Sequence, residues 1–228
     1  MAFSQAWDNA YRHGDAATPV WPFSDLVRLV YRTQSWLPED ARILEVGFGS
    51  GANCRLALEL GMDYTGIEGS VHAVNAAIKR FPQLNEKLVC GDFTHKIPQG
   101  PFGMVWDRSS VTHNSTEAIK RCLQLIGEQL TTGAVFIGVD WFSTEHSDFL
   151  RGELVDDWTR TNIQSGQFRG VGHVHFSSAR HIRELLDEAG FVVESMELKT
   201  RRADGKEESH AAWDFVARWR GVILNGDS

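Results

Sequence analysis

Short apolar runs alternate with longer stretches in which apolar residues recur every three or four positions, and this predicts strands separated by helices. Residues 23–36 place Leu26, Val27, Val30 and Tyr31 on one helical face, and Pro38 stops that helix. A strand over about 42–47 carries Ile43, Leu44 and Val46. The helix after it, about 52–61 with Leu56, Ala57 and Leu60, ends at Gly61, a residue suited to closing a helix. A second strand at 63–68 leads to Ser70, which can cap a helix whose Val71, Val74, Ile78 and Phe81 keep helical spacing. Strands follow at 87–91 and 102–106, then a helix over 117–130 with Ile119, Cys122, Leu123 and Ile126 in phase. Residues 134–139 (AVFIGV) are apolar without a break, as in a strand covered on both faces. A helix over 178–189 aligns Ile182, Leu185, Leu186 and Ala189. Two strands close the pattern, at about 191–198 and 213–219. In the last, Trp213, Phe215, Ala217 and Trp219 alternate with Asp214, Val216 and Arg218.

Strand–helix alternation through the fifth strand implies a parallel sheet with right-handed crossovers. No helix separates the last two strands, so they form an antiparallel hairpin turning near Ala203-Asp204-Gly205. The expectation is an α/β fold with seven strands and helices on both faces. At 228 residues and 42% hydrophobic, the chain suits one domain spanning 1–228. Residues 1–40 form an N-terminal arm and helix, and 141–176 an insertion longer than an ordinary connection.

Charge narrows the partners. The net charge of −7 comes from 23 basic and 30 acidic residues, and the longest basic run is Arg201-Arg202. An acidic surface repels phosphate backbones, so nucleic acid is a poor partner. No apolar run approaches the roughly 20 residues that span a bilayer, and MAFSQAWDNAYRHGD lacks the apolar core of a secretory signal. Cys54, Cys90 and Cys122 form no C-x-x-C pair and read as reduced core thiols, which fits a cytoplasmic protein. The eight tryptophans read first as core, with a lean towards a cleft for those at predicted loops and strand ends. The Trp213–Trp219 face can pack within the domain or against a second copy in a homodimer.

The chemistry concentrates at Arg42–Asn53, RILEVGFGSGAN. A strand runs into Gly47, Gly49 and Gly51 and then a helix, so the backbone can turn sharply and approach a ligand closely. In an open α/β sheet that ligand lies at the carboxyl ends of the strands. Dinucleotide enzymes usually show G-x-G-x-x-G; this chain has E-x-G-x-G-x-G, opening at Glu45. Acids stand at three further strand ends: Glu68, Asp92 (followed by Phe93) and Asp107 in VWDRSSVTHNS.

This ordered set resembles the class I S-adenosylmethionine (SAM) dependent methyltransferases, over roughly residues 40–220. The resemblance implies a Rossmann-like fold with SAM as cofactor. It implies Glu45, Gly47, Gly49 and Gly51 in the cofactor loop, Glu68 on the ribose hydroxyls, and Asp92 on the adenine amino group with Phe93 beside the ring. Asp107 would line the methionine part and the acceptor. Trp7, Tyr11, Gly14 and Trp21 match an N-terminal element that lies over the cofactor or acceptor in several small-molecule methyltransferases, and the 141–176 insertion would be the acceptor lid.

A sulfonium methyl needs alignment more than activation, but an alcohol acceptor needs a base. His113 and His146 are the candidates, with Asp107 or Asp140 assisting. A divalent metal held by Asp107 and Asp140 is disfavoured, because Trp141 stands where related metal-binding enzymes carry an asparagine; no metal is expected. His173 and His175 share one face of an extended segment and could line the acceptor pocket. Arg151, Arg160 and Arg169 would suit an anionic acceptor. The reading is a SAM-dependent methyltransferase acting on a small molecule, most simply at oxygen, with nitrogen or sulfur open. Its rivals are an NAD-dependent oxidoreductase and a non-catalytic SAM-binding protein.

Overall fold

The computed structural model describes residues 5–221; the first four residues of the expected arm and residues 222–228 lie outside the described residues. The described elements run α1 (Gln5–His13), α2 (Ser24–Thr33), β1 (Arg42–Val46), α3 (Cys54–Glu59), β2 (Asp63–Glu68), α4 (Val71–Arg80), β3 (Leu88–Cys90), β4 (Phe102–Arg108), α5 (Thr116–Gly127), β5 (Leu130–Phe142), β6 (Glu153–Leu154), β7 (Thr159–Thr161), β8 (Val174–His175), α6 (Ala179–Glu188), β9 (Phe191–Arg202) and β10 (Ser209–Trp219). Seven strands form one sheet in the order β3-β2-β1-β4-β5-β10-β9. The first five are parallel, and β10 runs antiparallel between β5 and β9. This is the expected Rossmann-like sheet with a C-terminal hairpin. The strand order reverses between β1 and β4, which opens a crevice at their carboxyl ends.

Two cores lie on the two faces of the sheet. α5 and α6 bury Ile119, Cys122, Leu123, Ile126, Ile182, Leu185 and Leu186 on one face, together with Phe136 and Phe215. α2, α3 and α4 cover the other through Leu26, Leu29, Val30, Leu56, Val74 and Ala77. The alternating face of β10 is covered from within the chain, since Trp213 and Trp219 pack against the α5–α6 core.

Several details differ from the sequence expectations. α2 buries Leu26, Leu29, Val30 and Thr33, whereas Tyr31 is exposed. One residue advances about 100° around a helix, so Tyr31 falls off the stripe that Val30 shares with Leu26. Val71 is exposed for the same reason, with Ala73, Val74 and Ala77 inward. Asp214 and Val216, on the expected polar side of β10, are buried because α2 crosses that face. Cys90 is an exposed thiol on edge strand β3, unlike Cys54 and Cys122. The 141–176 insertion carries a small antiparallel sheet, β6-β7-β8, and its own apolar cluster of Phe142, Ile163, Phe168, Val174 and Phe176.

Candidate functional site

The crevice is a cavity of about 950 Å³, lined from the β1 loop, the ends of β2–β4, the N-terminal arm and the turn at Arg169–Val171. The loop glycines have φ of +69° (Gly47), +56° (Gly49) and +84° (Gly51). Two of them also permit close approaches. A Cβ on Gly47 would overlap the Ser110 side chain, whose Oγ donates to the Gly47 carbonyl at 2.9 Å. A Cβ on Gly49 would stand 2.7 Å from Tyr11 Oη. Between the glycines, Ser50 Oγ is buried and lacks a hydrogen-bond partner among the described residues.

The three acids at the ends of β1–β3 all line the cavity, with different freedom. Glu45 is committed to the scaffold, accepting from Asn53 Nδ2 at 2.8 Å and Tyr64 Oη at 2.6 Å. Burial pushes its pKa up, and those bonds oppose the shift. Asn53 Oδ1 in turn accepts from the Phe23 amide at 3.2 Å, joining the loop to the start of α2. Glu68 accepts from the Gly49 amide at 2.9 Å and the Ser70 amide at 2.8 Å. Burial raises its pKa against those amides. Each of its oxygens retains a second lone pair for a ligand hydroxyl. Asp92 accepts from Thr94 N and Oγ1 at 2.9 and 2.6 Å, and pairs with His95 Nδ1 at 3.0 Å. Burial works against its carboxylate, but these partners hold the pKa below its ordinary value. Phe93 lines the cavity beside it.

α1 forms the wall facing the loop. Trp7 and Tyr11, four residues apart on α1, both line the cavity. The helix is held by Asp8, whose Oδ1 accepts from Ser70 Oγ at 2.7 Å and lies 3.0 Å from His72 Nδ1. Tyr11 Oη has no hydrogen-bond partner among the described residues. Burial, and then the Glu68 charge, push its pKa up.

His113 lines the cavity beyond β4, its ring edge-on to Trp7 at 4.9 Å and to Phe142 at 5.5 Å. Its Nδ1 lies 3.1 Å from the His173 carbonyl, which can only accept. The proton therefore sits on Nδ1, and Nε2 is left as a lone pair with no partner among the described residues. Burial depresses the pKa to about 4, so the ring is neutral at neutral pH. Asp107 lies beneath this turn and does not line the cavity. Its Oδ1 accepts from the Ser110 and Val111 amides at 2.9 and 3.1 Å, and its Oδ2 from Trp141 Nε1 at 2.7 Å. Burial pushes its pKa up to about 7. It positions the segment carrying His113 instead of facing a ligand.

Other expected residues stand elsewhere. His146 is buried behind Phe142 and Phe168, bonded to the Asp148 amide and Gln167 Oε1. Trp21 is 69% exposed, outside the cavity, with the Arg55 guanidinium 4.7 Å from its ring centroid. His175 is buried between Thr159 Oγ1 and Ser177 Oγ, at 3.0 Å from each, and His173 contributes its carbonyl to His113. Arg151 pairs with Asp148 and Glu208, and Arg160 bonds to carbonyls of its own turn; Arg169 alone of the three lines the cavity. Asp140 is bound by Arg108 at 2.8 Å and Lys199 at 2.7 Å. Among the described residues no group of three His, Cys, Asp or Glu could hold a metal ion. Sequence reasoning gave no role to Ser50 or Ser110, and met Arg108 only as the partner of Asp107 in an Asp-Arg motif. The guanidinium of Arg108 stacks 3.9 Å over Phe23. Ser50 was marked only by adjacency to Gly49, and Ser110 only by lying three residues after Asp107.

Residues 21–196 match a family model described as a methyltransferase domain. No curated protein matches the chain at a significant level. A SAM-dependent methyltransferase from Methanosarcina mazei superposes with a TM-score of 0.66 at 17% identity, over 84% of this chain and 98% of that one. One from Clostridium acetobutylicum gives 0.65 at 12% identity, over 93% and 96%. The cyclase SpnF gives 0.60 at 16% identity, over 95% and 93%, so the shared fold does not by itself fix the reaction.

Proposed function

The chain belongs to the methyltransferase family, and from that premise we propose that it moves the methyl group of SAM to an oxygen of a small-molecule acceptor. The observation that carries the acceptor atom is His113, a neutral imidazole in the cavity wall with an unpartnered Nε2. The family sets the NAD-dependent reading aside.

The cavity fits SAM. Ser50 Oγ is a buried hydroxyl in want of a partner, and Gly47, Gly49, Glu68 and Asp92 line the same cavity at the strand ends. Glu68 would hold the ribose hydroxyls, Asp92 would take the adenine amino group with Phe93 beside the ring, and the Gly47–Gly51 loop would face the amino-acid chain. When bound, the cofactor supplies an electrophilic sulfonium methyl. Trp7 and Tyr11 cover the site and exclude water. His113 Nε2 would accept a hydrogen bond from the acceptor hydroxyl and take its proton as that oxygen gains its bond to the methyl carbon and the carbon–sulfur bond breaks, its electron pair staying on sulfur. A weak base suffices, because an oxygen bearing a third bond sheds its proton readily. The same reading makes this a cytoplasmic enzyme whose partners are small metabolites, in keeping with its charge of −7. No helix of the described residues is long and apolar enough to cross a membrane.

Calorimetry with S-adenosylhomocysteine (SAH) and with NAD, on wild type and Glu68→Gln, tests the cofactor. Binding of SAH alone, weakened about tenfold or more by the substitution, is expected. Methyl-labelled SAM incubated with a small-molecule extract then tests the acceptor. The label should enter a methoxy group, and His113→Ala should slow transfer about 100-fold or more while leaving SAH affinity intact. Label on nitrogen or sulfur would refute the oxygen assignment.

A further inference from the structure

We infer that the acceptor is an anion, seated by Arg169 through a carboxylate or phosphate group; this deepens the methyl-transfer reading and rests on it. Charge in the cavity is segregated. Glu45, Glu68 and Asp92 stand at the ends of β1–β3, whereas the arginines of the cavity are Arg108 at the end of β4 and Arg169 in the insertion, and Asp15 lies on the exposed arm. The two arginines are not equivalent. Arg108 is already neutralised by Asp140 at 2.8 Å, and Asp140 is shared with Lys199. Arg169 has no carboxylate partner among the described residues.

Arg169 is exposed, but the backbone that carries it is fixed. The Val171 amide donates to the Phe168 carbonyl at 3.1 Å, and Gly170 has φ of +73°, which makes Phe168–Val171 a tight turn of type II character with Arg169 at its first corner. The Gly170 amide donates to the Ile163 carbonyl at 3.1 Å. Phe168 anchors the turn in the insertion's apolar cluster, its ring 4.4 Å from that of Phe142 and 6.3 Å from that of His113. The Phe168 amide donates to Asp148 Oδ2 at 3.0 Å, and Arg151 holds Asp148 Oδ1 at 2.8 Å. So Arg151, which the sequence pointed to as an anion ligand, instead fixes the turn that offers Arg169. An acceptor whose hydroxyl meets His113 is bounded by this same turn. A guanidinium fork without a counter-ion favours a carboxylate or phosphate there.

The test uses the full-length protein saturated with SAH. Ligand affinity is read from thermal shifts with hydroxy acids against their amides, and with phosphate monoesters of diols against the free diols. Wild type, Arg169→Ala, Arg169→Lys and the exposed-arginine control Arg183→Ala are compared. Anionic members should bind wild type and the control, lose about 10- to 100-fold in Arg169→Ala and recover partly in Arg169→Lys. The carboxylate and phosphate arms distinguish the two sources. Neutral partners that bind as well as the anions, an absence of anion binding, or a preference that survives Arg169→Ala would each overturn the inference. SAH affinity is measured first. Its absence would remove the methyl-transfer reading and the inference together, whereas SAH binding without anion preference would remove the inference alone.

Discussion

At Gly49 the backbone of the loop and the hydroxyl of Tyr11 compete for one volume. A Cβ there would lie 2.7 Å from Tyr11 Oη and 3.8 Å from its Cζ, at a φ of +56°. Gly49→Ala therefore carries two separable penalties, a clash and a left-handed backbone costing about 1–2 kcal/mol. SAH binding should weaken at least tenfold, and adding Tyr11→Phe should restore the part due to the clash. A double variant that binds no better than the single one would show that the hydroxyl is not the obstacle. Asp107 poses a different problem, because both its oxygens face donors: the Ser110 and Val111 amides on one side and Trp141 Nε1 on the other. An amide cannot accept on both sides. Asp107→Asn should cost about 1–3 kcal/mol in urea unfolding, and it should lower turnover more than SAH affinity because the disturbed turn carries His113.

α1 closes the site as an element, and it is held by few contacts. The contact of Asp8 with the start of α4, through Ser70 Oγ and His72, is the chief polar one. The His72 and Ser70 bonds hold the Asp8 carboxyl below its usual pKa. Asp8→Ala should release the helix without unfolding the sheet. The expected outcome is up to about tenfold weaker SAH binding and a shift in Trp7 fluorescence, with an unchanged unfolding midpoint. If SAH affinity stays at the wild-type value, α1 is not the cover. Neither this helix nor the small sheet of the insertion was legible in the sequence. The stretch QAWDNAYRH is short and polar overall, with Trp7, Ala10 and Tyr11 as its brief apolar face, and β6 and β8 are two residues long, too short for alternation to show. α5 and α6 were legible because each rests one continuous stripe on the sheet. Ile119, Cys122, Leu123 and Ile126 are buried as their spacing requires, and so are Ile182, Leu185, Leu186 and Ala189. The same limit applies within the site. Spacing located Glu68, Asp92 and Asp107 at strand ends, but it carries no information on which way a carboxylate turns. Asp107 turns inward to Trp141, and His146 is taken up by Gln167 and the Asp148 amide.

Across the whole molecule, the insertion adds a third core to the two that flank the sheet, and its polar centre is His175. The ring lies between Thr159 at β7 and Ser177 at the entry to α6, fully buried and neutral, with its pKa depressed to about 3 by burial and then by the nearby His181. His113, where the insertion meets the sheet, is depressed to about 4. In the unfolded chain both titrate near 6.5, so below that pH the unfolded state binds protons that the native state refuses. Each histidine therefore contributes a positive slope of stability against pH, up to about 1.4 kcal/mol per pH unit, and that stability is lost on acidification through this window. Buried acids with raised pKa values, Asp107 at about 7 together with Glu45, Glu68 and Asp214, contribute slopes of the opposite sign. The net profile therefore mixes both, but the acids cancel when a single histidine is replaced. In His175→Gln the new amide can still meet Thr159 and Ser177. Relative to this variant, wild type should lose stability as pH falls from about 6.5 towards 4, by an amount approaching the one-proton slope. Urea unfolding of the two proteins across that range measures the difference directly. A gap between them that does not change with pH would mean that His175 is not held neutral, and that the insertion's core is open to water in the native protein.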